Sequence, residues 1–268
     1  GRKQTTLLGY NRATDNTRST GSTIKPVIDY GPAIEYLNYS TGQTIMDQRT
    51  TYSNGVELNN WDFSHKGAMT LRTALVYSRN TTALQTFKAV GETNIKSFLN
   101  NLDIQIKNDG QDYLVESNSI GADISPIKMA AAYATFGNYG NYSKPYTVTK
   151  VTTRDGQVTE FKPEQKQAMK DSTAYMITDV LKDSFKYGFA TQATIPGLPT
   201  AAKTGSSNYT VEQKRAMGAS DYEDIIPDSW FIGYSTDYTI SAWTGYDNPY
   251  EQGGGVDTTE QEYSRLIY

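Results

Sequence analysis

Residues 228–246 read DSWFIGYSTDYTISAWTGY, and this stretch decides the fold class. Within it, segments 229–235 and 238–246 are rich in Thr, Ile, Trp, Tyr and Phe, the residue types that favour strands. Segment 199–206 has the same character. The last third of the chain is therefore predicted to form antiparallel strands.

The middle of the chain predicts helices instead. Leu71, Ala74 and Leu75 recur at helical spacing, and Ser125 followed by Pro126 is typical of a helix start. A helical middle followed by antiparallel strands predicts an α+β fold in which helices, including an all-helical subregion, pack on a sheet. The predicted helices span 22–39 (interrupted at Gly31-Pro32), 70–77, 81–90, 93–100, 125–136 and 172–186; the other predicted strands span 5–10, 146–153 and 157–162.

Composition excludes several kinds of chemistry. The 268 residues include no cysteine and one histidine, His65, so neither a thiol nucleophile nor a zinc site with two histidines can be built within the chain. The net charge of −4 argues against nucleic-acid binding. No run of 18 apolar residues is present. Catalysis would have to use Ser, Thr, Lys, Tyr, Asp or Glu.

Ser22-Thr23-Ile24-Lys25 is the first candidate motif. On a helix, residues three apart share a face, so a lysine with a lowered pKa could accept the serine proton. Pro26 is tolerated only in a first turn, which predicts a helix that begins close to Ser22. An ordinary helix N-terminus is the alternative, and Ser125-Pro126-Ile127-Lys128 repeats the spelling where a helix cap is expected.

Two further motifs follow in order along the chain. In Ser78-Arg79-Asn80, a hydroxyl and an amide could both point into a cleft from a tight turn, although a simple helix-end turn is the alternative. Lys203-Thr204-Gly205-Ser206 lies on a predicted strand, where a lysine and two hydroxyls suit a carboxylate. An ordinary edge strand with one charged residue is the alternative there.

Taken together, the three motifs resemble the signature set of the penicillin-recognising serine acyltransferases. The chain resembles the transpeptidase domain of class A, bifunctional penicillin-binding proteins of Gram-positive bacteria. The matching blocks are YNRATDNTRSTGSTIKPVID (10–29), GAMTLRTALVYSRN (67–80), SPIKMAAAYATFGNYG (125–140), AAKTGSSN (201–208), DSWFIGY (228–234) and SAWTGYDN (241–248). They extend over nearly the whole chain. Ala202, where many relatives have Gly, and Ser206, where Thr is common, are mild departures.

The resemblance implies a D,D-transpeptidase that forms a serine acyl-enzyme on a D-Ala-D-Ala stem peptide and is blocked covalently by β-lactams. It implies no metal or organic cofactor. Backbone N–H groups of Ser22 and Ser206 would form the oxyanion hole. The implied catalytic residues are Ser22 as nucleophile, Lys25 as its base, and Ser78 and Lys203, which assist protonation of the leaving D-Ala; the implied substrate-binding residues are Asn80, Thr204, Gly205 and Ser206.

The resemblance also raises expectations about the flanks. Residues 1–268 would be a transpeptidase domain incomplete at both ends, with further sheet strands before it and a C-terminal helix after it. An upstream glycosyltransferase domain and an N-terminal membrane anchor, absent from this sequence, would place it on the extracytoplasmic face of the cell membrane. Expected partners are donor and acceptor stem peptides, β-lactams and the rest of the polypeptide.

Other functions remain open for the same motifs. A β-lactamase needs an activated water, but Arg79 replaces its usual Asp, and Glu116 is not in the usual Glu-x-x-x-Asn spelling. A D,D-carboxypeptidase would use water as the acceptor, and a penicillin sensor would acylate without turnover. The long polar loop 207–228 beside the third motif is a candidate gate for the groove.

Overall fold

The computed structural model describes Leu7 and residues 9–268. The strand predicted over 5–10 falls in part on residues 5, 6 and 8, which lie outside that description, and Leu7, Gly9 and Tyr10 are not in a strand. The α-helices are α1 Gly31–Leu37, α2 Leu71–Val76, α3 Asn80–Val90, α4 Glu92–Asn101, α5 Pro126–Gly137, α6 Asp171–Lys182, α7 Val211–Ala216 and α8 Tyr263–Ile267. The strands are β1 Arg18–Ser19, β2 Thr44–Asp47, β3 Thr50–Thr51, β4 Glu57–Leu58, β5 Gly67–Thr70, β6 Asp123–Ile124, β7 Asn141–Ser143, β8 Lys150–Thr152, β9 Val158–Glu160, β10 Gln165–Gln167, β11 Ala201–Ser206, β12 Asp228–Tyr234 and β13 Thr239–Gly245.

The central sheet is antiparallel, in the order β11-β12-β13, as predicted. In its register Gly205 is opposite Trp230, and Trp230 is opposite Trp243. Alternate residues of a strand face opposite sides, and both sides of β12 are covered. Trp230 belongs to the main core, whereas Phe231 packs in a small cluster that includes Tyr268. The β-rich composition of this stretch thus reflects burial on both faces.

Helices cover the sheet and enclose the core. α5 and α6 pack against the sheet, and α8 packs against β12 and β13. α8 was not predicted, because five residues are too few to show apolar periodicity. A C-terminal helix beyond Tyr268 stays a prediction. No helix in the described part of the chain is long and apolar enough to cross a membrane.

The helix predicted over 22–39 is a continuous run of three helix types. A 3-10 turn at Gly21–Ile24 leads into a π-helical segment at Pro26–Tyr30 and then into α1. The predicted interruption at Gly31-Pro32 is therefore only a change of winding. A Cβ on Gly31 would lie 2.5 Å from the carbonyl oxygen of Pro26, so the close approach here requires glycine.

The second motif forms the tight turn that joins α2 to α3. α2 begins at Thr70, whose side chain accepts a hydrogen bond from the backbone N–H of Thr73. Between α2 and α3, Ser78 has φ +55°, a left-handed conformation that non-glycine residues seldom adopt. This turn presents the Ser78 hydroxyl toward the helical run that begins at Gly21.

Candidate active site

Two glycines bring the first motif against the third. Gly21 has φ +50°, and a Cβ there would lie 2.3 Å from the carbonyl oxygen of Ser206. A Cβ on Gly205 would lie 2.5 Å from the carbonyl oxygen of Thr20. The backbone before Ser22 and the end of β11 are therefore in direct contact, which only glycine permits.

The hydroxyl of Ser78 lies between two buried lysines. Its Oγ is 3.3 Å from Lys25 Nζ and 2.9 Å from Lys203 Nζ. Lys25 Nζ also donates to the carbonyl oxygen of Ser78 at 2.8 Å and to Asn80 Oδ1 at 2.7 Å. Lys203 Nζ donates to the carbonyl oxygen of Thr204 at 2.8 Å. The three motifs thus converge on one hydroxyl.

Burial favours the neutral amines of both lysines. The side chains of Lys25 and Lys203 are 0% and 2% exposed. Burial lowers the pKa of Lys203 to about 7. Burial, the positive charge of Lys203 and that of Arg79 lower the pKa of Lys25 well below its ordinary value, against the opposing charge of Asp29. Since a hydroxyl can donate to one amine and accept from the other, Ser78 can pass a proton between them.

A groove of about 620 Å³ opens in front of these groups. Its lining includes six of the predicted site residues, which the structure therefore brings together: Ser22, Ser78, Asn80, Thr204, Gly205 and Ser206. Ser206 is exposed, and Ser22 and Thr204 are half-buried. Lys25 and Lys203 lie beneath this surface.

Two predicted contacts differ in the structure. Within the described residues, Lys25 Nζ is hydrogen-bonded to the Ser78–Asn80 turn and makes no hydrogen bond to Ser22. Catalytic hydrogen bonds are often long before a substrate binds. The Asn80 amide is already engaged, because its Nδ2 donates to the carbonyl oxygen of Asn59 at 2.8 Å.

The repeated Ser-x-x-Lys spelling is structural. Ser125 is the N-cap residue of α5, as predicted, although its side chain makes no capping hydrogen bond. Neither Ser125 nor Lys128 lines the groove. The residues described here also contain no group of three His, Asp or Glu side chains that could hold a metal ion.

Sequence reasoning missed a buried carboxylate at the edge of the site. Asp228 accepts hydrogen bonds from Arg18 Nε at 2.8 Å, Ser207 Oγ at 2.7 Å and Trp243 Nε1 at 2.9 Å. It thereby fixes the segment before Ser22 to the end of β11. The strand pattern gave no signal for this role, since Asp228 begins a stretch that predicts only sheet core.

The loop 207–228 contains α7 and is anchored at its start. Tyr209 is buried, and its hydroxyl donates to the carbonyl oxygen of Pro249 at 2.6 Å. Lys214, on α7, lines the groove. Gating by this loop stays a prediction.

Comparison with known proteins settles the family. A family profile described as "Penicillin binding protein transpeptidase domain" matches residues 2–261. The chain belongs to this family. It is 40% identical over 266 residues to penicillin-binding protein 1A/1B of Bacillus subtilis (strain 168), covering 97% of this chain and 28% of the relative. It is also 40% identical over 269 residues to penicillin-binding protein 1A of Streptococcus pneumoniae, covering 97% of this chain and 37% of the relative.

Solved structures share the fold of this transpeptidase domain. Penicillin-binding protein 1A of Haemophilus influenzae superposes with a TM-score of 0.76 at 19% identity, over 96% of this chain and 43% of that one. The penicillin-binding protein PonA1 of Mycobacterium tuberculosis superposes with a TM-score of 0.75 at 21% identity, over 88% of this chain and 61% of that one. The predicted α+β fold is confirmed. The chain spans less than two fifths of the two curated relatives named above.

Proposed function

We propose that this domain cross-links peptidoglycan as a serine D,D-transpeptidase, with Ser22 as the nucleophile. The observation that carries the proposal is the sharing of the Ser78 hydroxyl by two buried lysines, directly behind a groove lined by Ser22 and the Thr204–Ser206 edge. With no cysteine and one histidine in the chain, a serine activated by a lysine suits the residues available.

In the acylation step, Ser22 Oγ attacks the carbonyl carbon of the penultimate D-Ala of the donor stem peptide. Its proton passes to the neutral amine of Lys25, which the lowered pKa of Lys25 favours. The tetrahedral oxyanion lies against the backbone N–H groups of Ser22 and Ser206, each worth about 3 kcal/mol as an oxyanion donor. Close packing of Gly21 against Ser206 supports this placement.

Collapse of the intermediate breaks the peptide C–N bond and releases D-Ala. The leaving nitrogen receives a proton through the Ser78 hydroxyl, which is hydrogen-bonded to both Lys25 and Lys203. An amine of a neighbouring stem peptide then attacks the Ser22 ester carbonyl, which forms the new C–N bond and breaks the bond to Ser22 Oγ. The amine gives up one proton, and Lys25 returns a proton to Oγ, which regenerates the hydroxyl.

Donor recognition uses the two walls of the groove. Thr204 and Ser206 present hydroxyls on the β11 side for the terminal carboxylate of the donor, near the buried cation of Lys203 when it is protonated. Asn80 also lines the groove, and it would hold the amide of the donor by exchanging its present hydrogen bond to the carbonyl oxygen of Asn59 for one to the donor.

β-Lactams are proposed to acylate the same Ser22. Among the structural neighbours, PonA1 of Mycobacterium tuberculosis was solved in complex with penicillin V, and penicillin-binding protein A of that organism as an imipenem acyl-enzyme complex. Those complexes were observed in the neighbours. For this chain they support the expectation that a β-lactam would react with the groove serine.

We also propose that the native protein is longer. The much greater length of its relatives supports further sheet strands, an upstream glycosyltransferase domain and an N-terminal membrane anchor outside this sequence. The transpeptidase domain would then act on the outer side of the cell membrane.

The position of Glu116 argues against a β-lactamase. Glu116, the acid considered for water activation, accepts a hydrogen bond from the backbone N–H of Ser53 at 2.6 Å and pairs with Lys88 at 3.2 Å. It does not line the groove.

An exchange assay separates the candidate activities. The full-length protein is incubated with a pentapeptide that ends in D-Ala-D-Ala and with an isotope-labelled D-amino acid as the acceptor, and products are weighed by mass spectrometry. A transpeptidase yields the labelled exchange product, whereas a carboxypeptidase yields only the shortened peptide. Ser22→Ala should abolish product, and Ser125→Ala, from the repeated motif, should retain it. Exchange that survives in Ser22→Ala would refute the assignment.

A further inference from the structure

A buried ion-pair cluster lies behind the Ser78-Arg79-Asn80 turn. Arg79 is 2% exposed; its Nε lies 2.9 Å from Asp47 Oδ2, and its Nη1 lies 2.9 Å from both carboxylate oxygens of Asp62. Although burial alone would raise it, the pKa of Asp47 is lowered by hydrogen bonds from Thr81, Lys66 and Asn60 and by the charge of Arg79. Both carboxylates therefore remain ionised at neutral pH.

Asn60 extends the cluster to the backbone of the turn. Its Nδ2 donates to Asp47 Oδ1 at 2.7 Å, and its Oδ1 accepts from the backbone N–H of Asn80 at 2.7 Å. Thr81 Oγ1 donates to Asp47 Oδ1 at 2.6 Å. The first residues of α3 are therefore held by Asp47, both directly and through Asn60.

Two cavities flank the turn. Ser78 and Asn80 line the groove, whereas Tyr77 and Arg79 line a separate cavity of about 440 Å³. Between these cavities, the polar cluster contributes hydrogen bonds that support the turn. The left-handed φ of Ser78, an unfavourable conformation, must be maintained by such contacts.

We propose that Asp47 and Arg79 are positioning residues that hold the Ser78 hydroxyl between Lys25 and Lys203 and set the field at Lys25. This inference rests on the proposed function, because the reaction that these residues would serve is the serine acylation described above. Lys25 Nζ donates to the backbone carbonyl of Arg79 at 3.3 Å, so movement of this residue moves the partners of the lysine.

If Asp47 and Arg79 also set the electrostatic field at Lys25, replacing either residue should shift the pKa of Lys25. A purely structural role would not predict such a shift. The titratable and charged groups that act on Lys25 are Lys203 from β11, Arg79 from the turn, and Asp29 from its own helical run, a carboxyl whose pKa burial raises well above its ordinary value. Arg79 lowers the pKa of Lys25, and Asp47 partly neutralises Arg79. Loss of the Arg79 charge should therefore raise the pKa of Lys25, and loss of the Asp47 charge should lower it.

The test measures the rate constant for acylation by a fluorescent penicillin between pH 6 and 10 in Asp47→Asn and Arg79→Gln. Each should acylate about 10- to 100-fold more slowly near neutral pH, the loss expected when a catalytic group is displaced by about 1 Å. The limb of the profile that rises with pH should move to lower pH in Asp47→Asn and to higher pH in Arg79→Gln. Unchanged rates, or losses with no opposite movement, would overturn the proposal.

A milder variant and matched controls protect the result against misfolding. Thr81→Val keeps the side-chain shape and removes one hydrogen bond to Asp47. The acylation rate constant should therefore fall by about 3- to 10-fold, less than when a catalytic group is fully displaced. Arg49→Gln and Glu57→Gln remove the same charges from an exposed pair and should leave rates unchanged.

Crystal structures of the variants test the inference independently of the reaction. A turn in which Ser78 leaves φ near +55° or loses Lys25 supports the positioning role even if wild-type protein proves inactive. An unchanged turn in both Asp47→Asn and Arg79→Gln contradicts it. Absence of acylation in wild-type protein would instead refute the proposed function alone.

Discussion

Gly205→Ala should disable the site by separating its two walls. The added Cβ would lie 2.5 Å from the carbonyl oxygen of Thr20, 2.7 Å from the backbone nitrogen of Thr23 and 2.9 Å from its Cγ2, whereas ordinary contacts begin at 3.4 Å. Two of these neighbours are backbone atoms, which cannot rotate away. β11 or the turn that holds Ser22 must therefore retreat by about 1 Å, a displacement that typically costs about 100-fold in rate.

That loss corresponds to about 2.7 kcal/mol of transition-state stabilisation, the size expected for one misplaced oxyanion donor. Stability should fall by about 1–3 kcal/mol, as for other overpacked sites. Stopped-flow acylation by a fluorescent penicillin measures the rate, and urea unfolding measures the stability. Gly42→Ala is the matched control, because the nearest atom to its Cβ would be Ser40 Oγ at 3.7 Å. A Gly205→Ala protein that acylates at the wild-type rate would refute the idea that close backbone contact positions the site.

Three further predictions concern buried groups. The pKa of Lys203 falls from 10.5 to about 7 on folding, so the unfolded chain binds more protons than the folded chain between those pH values. The free energy of unfolding should therefore rise with pH in that range. Lys203→Met should reduce this slope by up to about 1.4 kcal/mol per pH unit, measured by urea unfolding at several pH values. Asp228→Asn breaks the buried pair with Arg18 and should cost about 3 kcal/mol of stability, measured by urea unfolding at constant pH. Tyr133→Phe leaves the buried carbonyl of Thr23 without its 2.7 Å donor and should cost about 1–2 kcal/mol by thermal unfolding, without slowing acylation more than about 3-fold.

The long helices and the sheet could be predicted because their sequence patterns are local. β12 shows its β-favouring composition over seven residues, and α3 shows helical spacing over eleven with Gly91 as its end. α7 and α8, with six and five residues, are too short for such a pattern. The π winding at Pro26–Tyr30 depends on packing, including the approach of Gly31 to Phe98, which no local pattern contains.

The site residues could be predicted because three motifs in order are specific, and the structure brings those residues to one groove. The residues that hold the site residues in place could not be predicted. Asp47 lies outside every predicted helix and strand, and its contact with Arg79 joins residues 32 positions apart. Likewise, Asp228 and Arg18 are 210 positions apart. Ion pairs of this kind are set by tertiary structure, since any Asp and Arg in the chain could form them.

The central claim, that Ser22 is the nucleophile, is tested most directly by the intact mass of the protein after incubation with benzylpenicillin. A stable adduct of one penicilloyl group is expected in the wild-type protein and in Ser125→Ala, and none in Ser22→Ala. Hydrolysed drug without a lasting adduct would favour a β-lactamase. An adduct that persists in Ser22→Ala would contradict the assignment of the nucleophile.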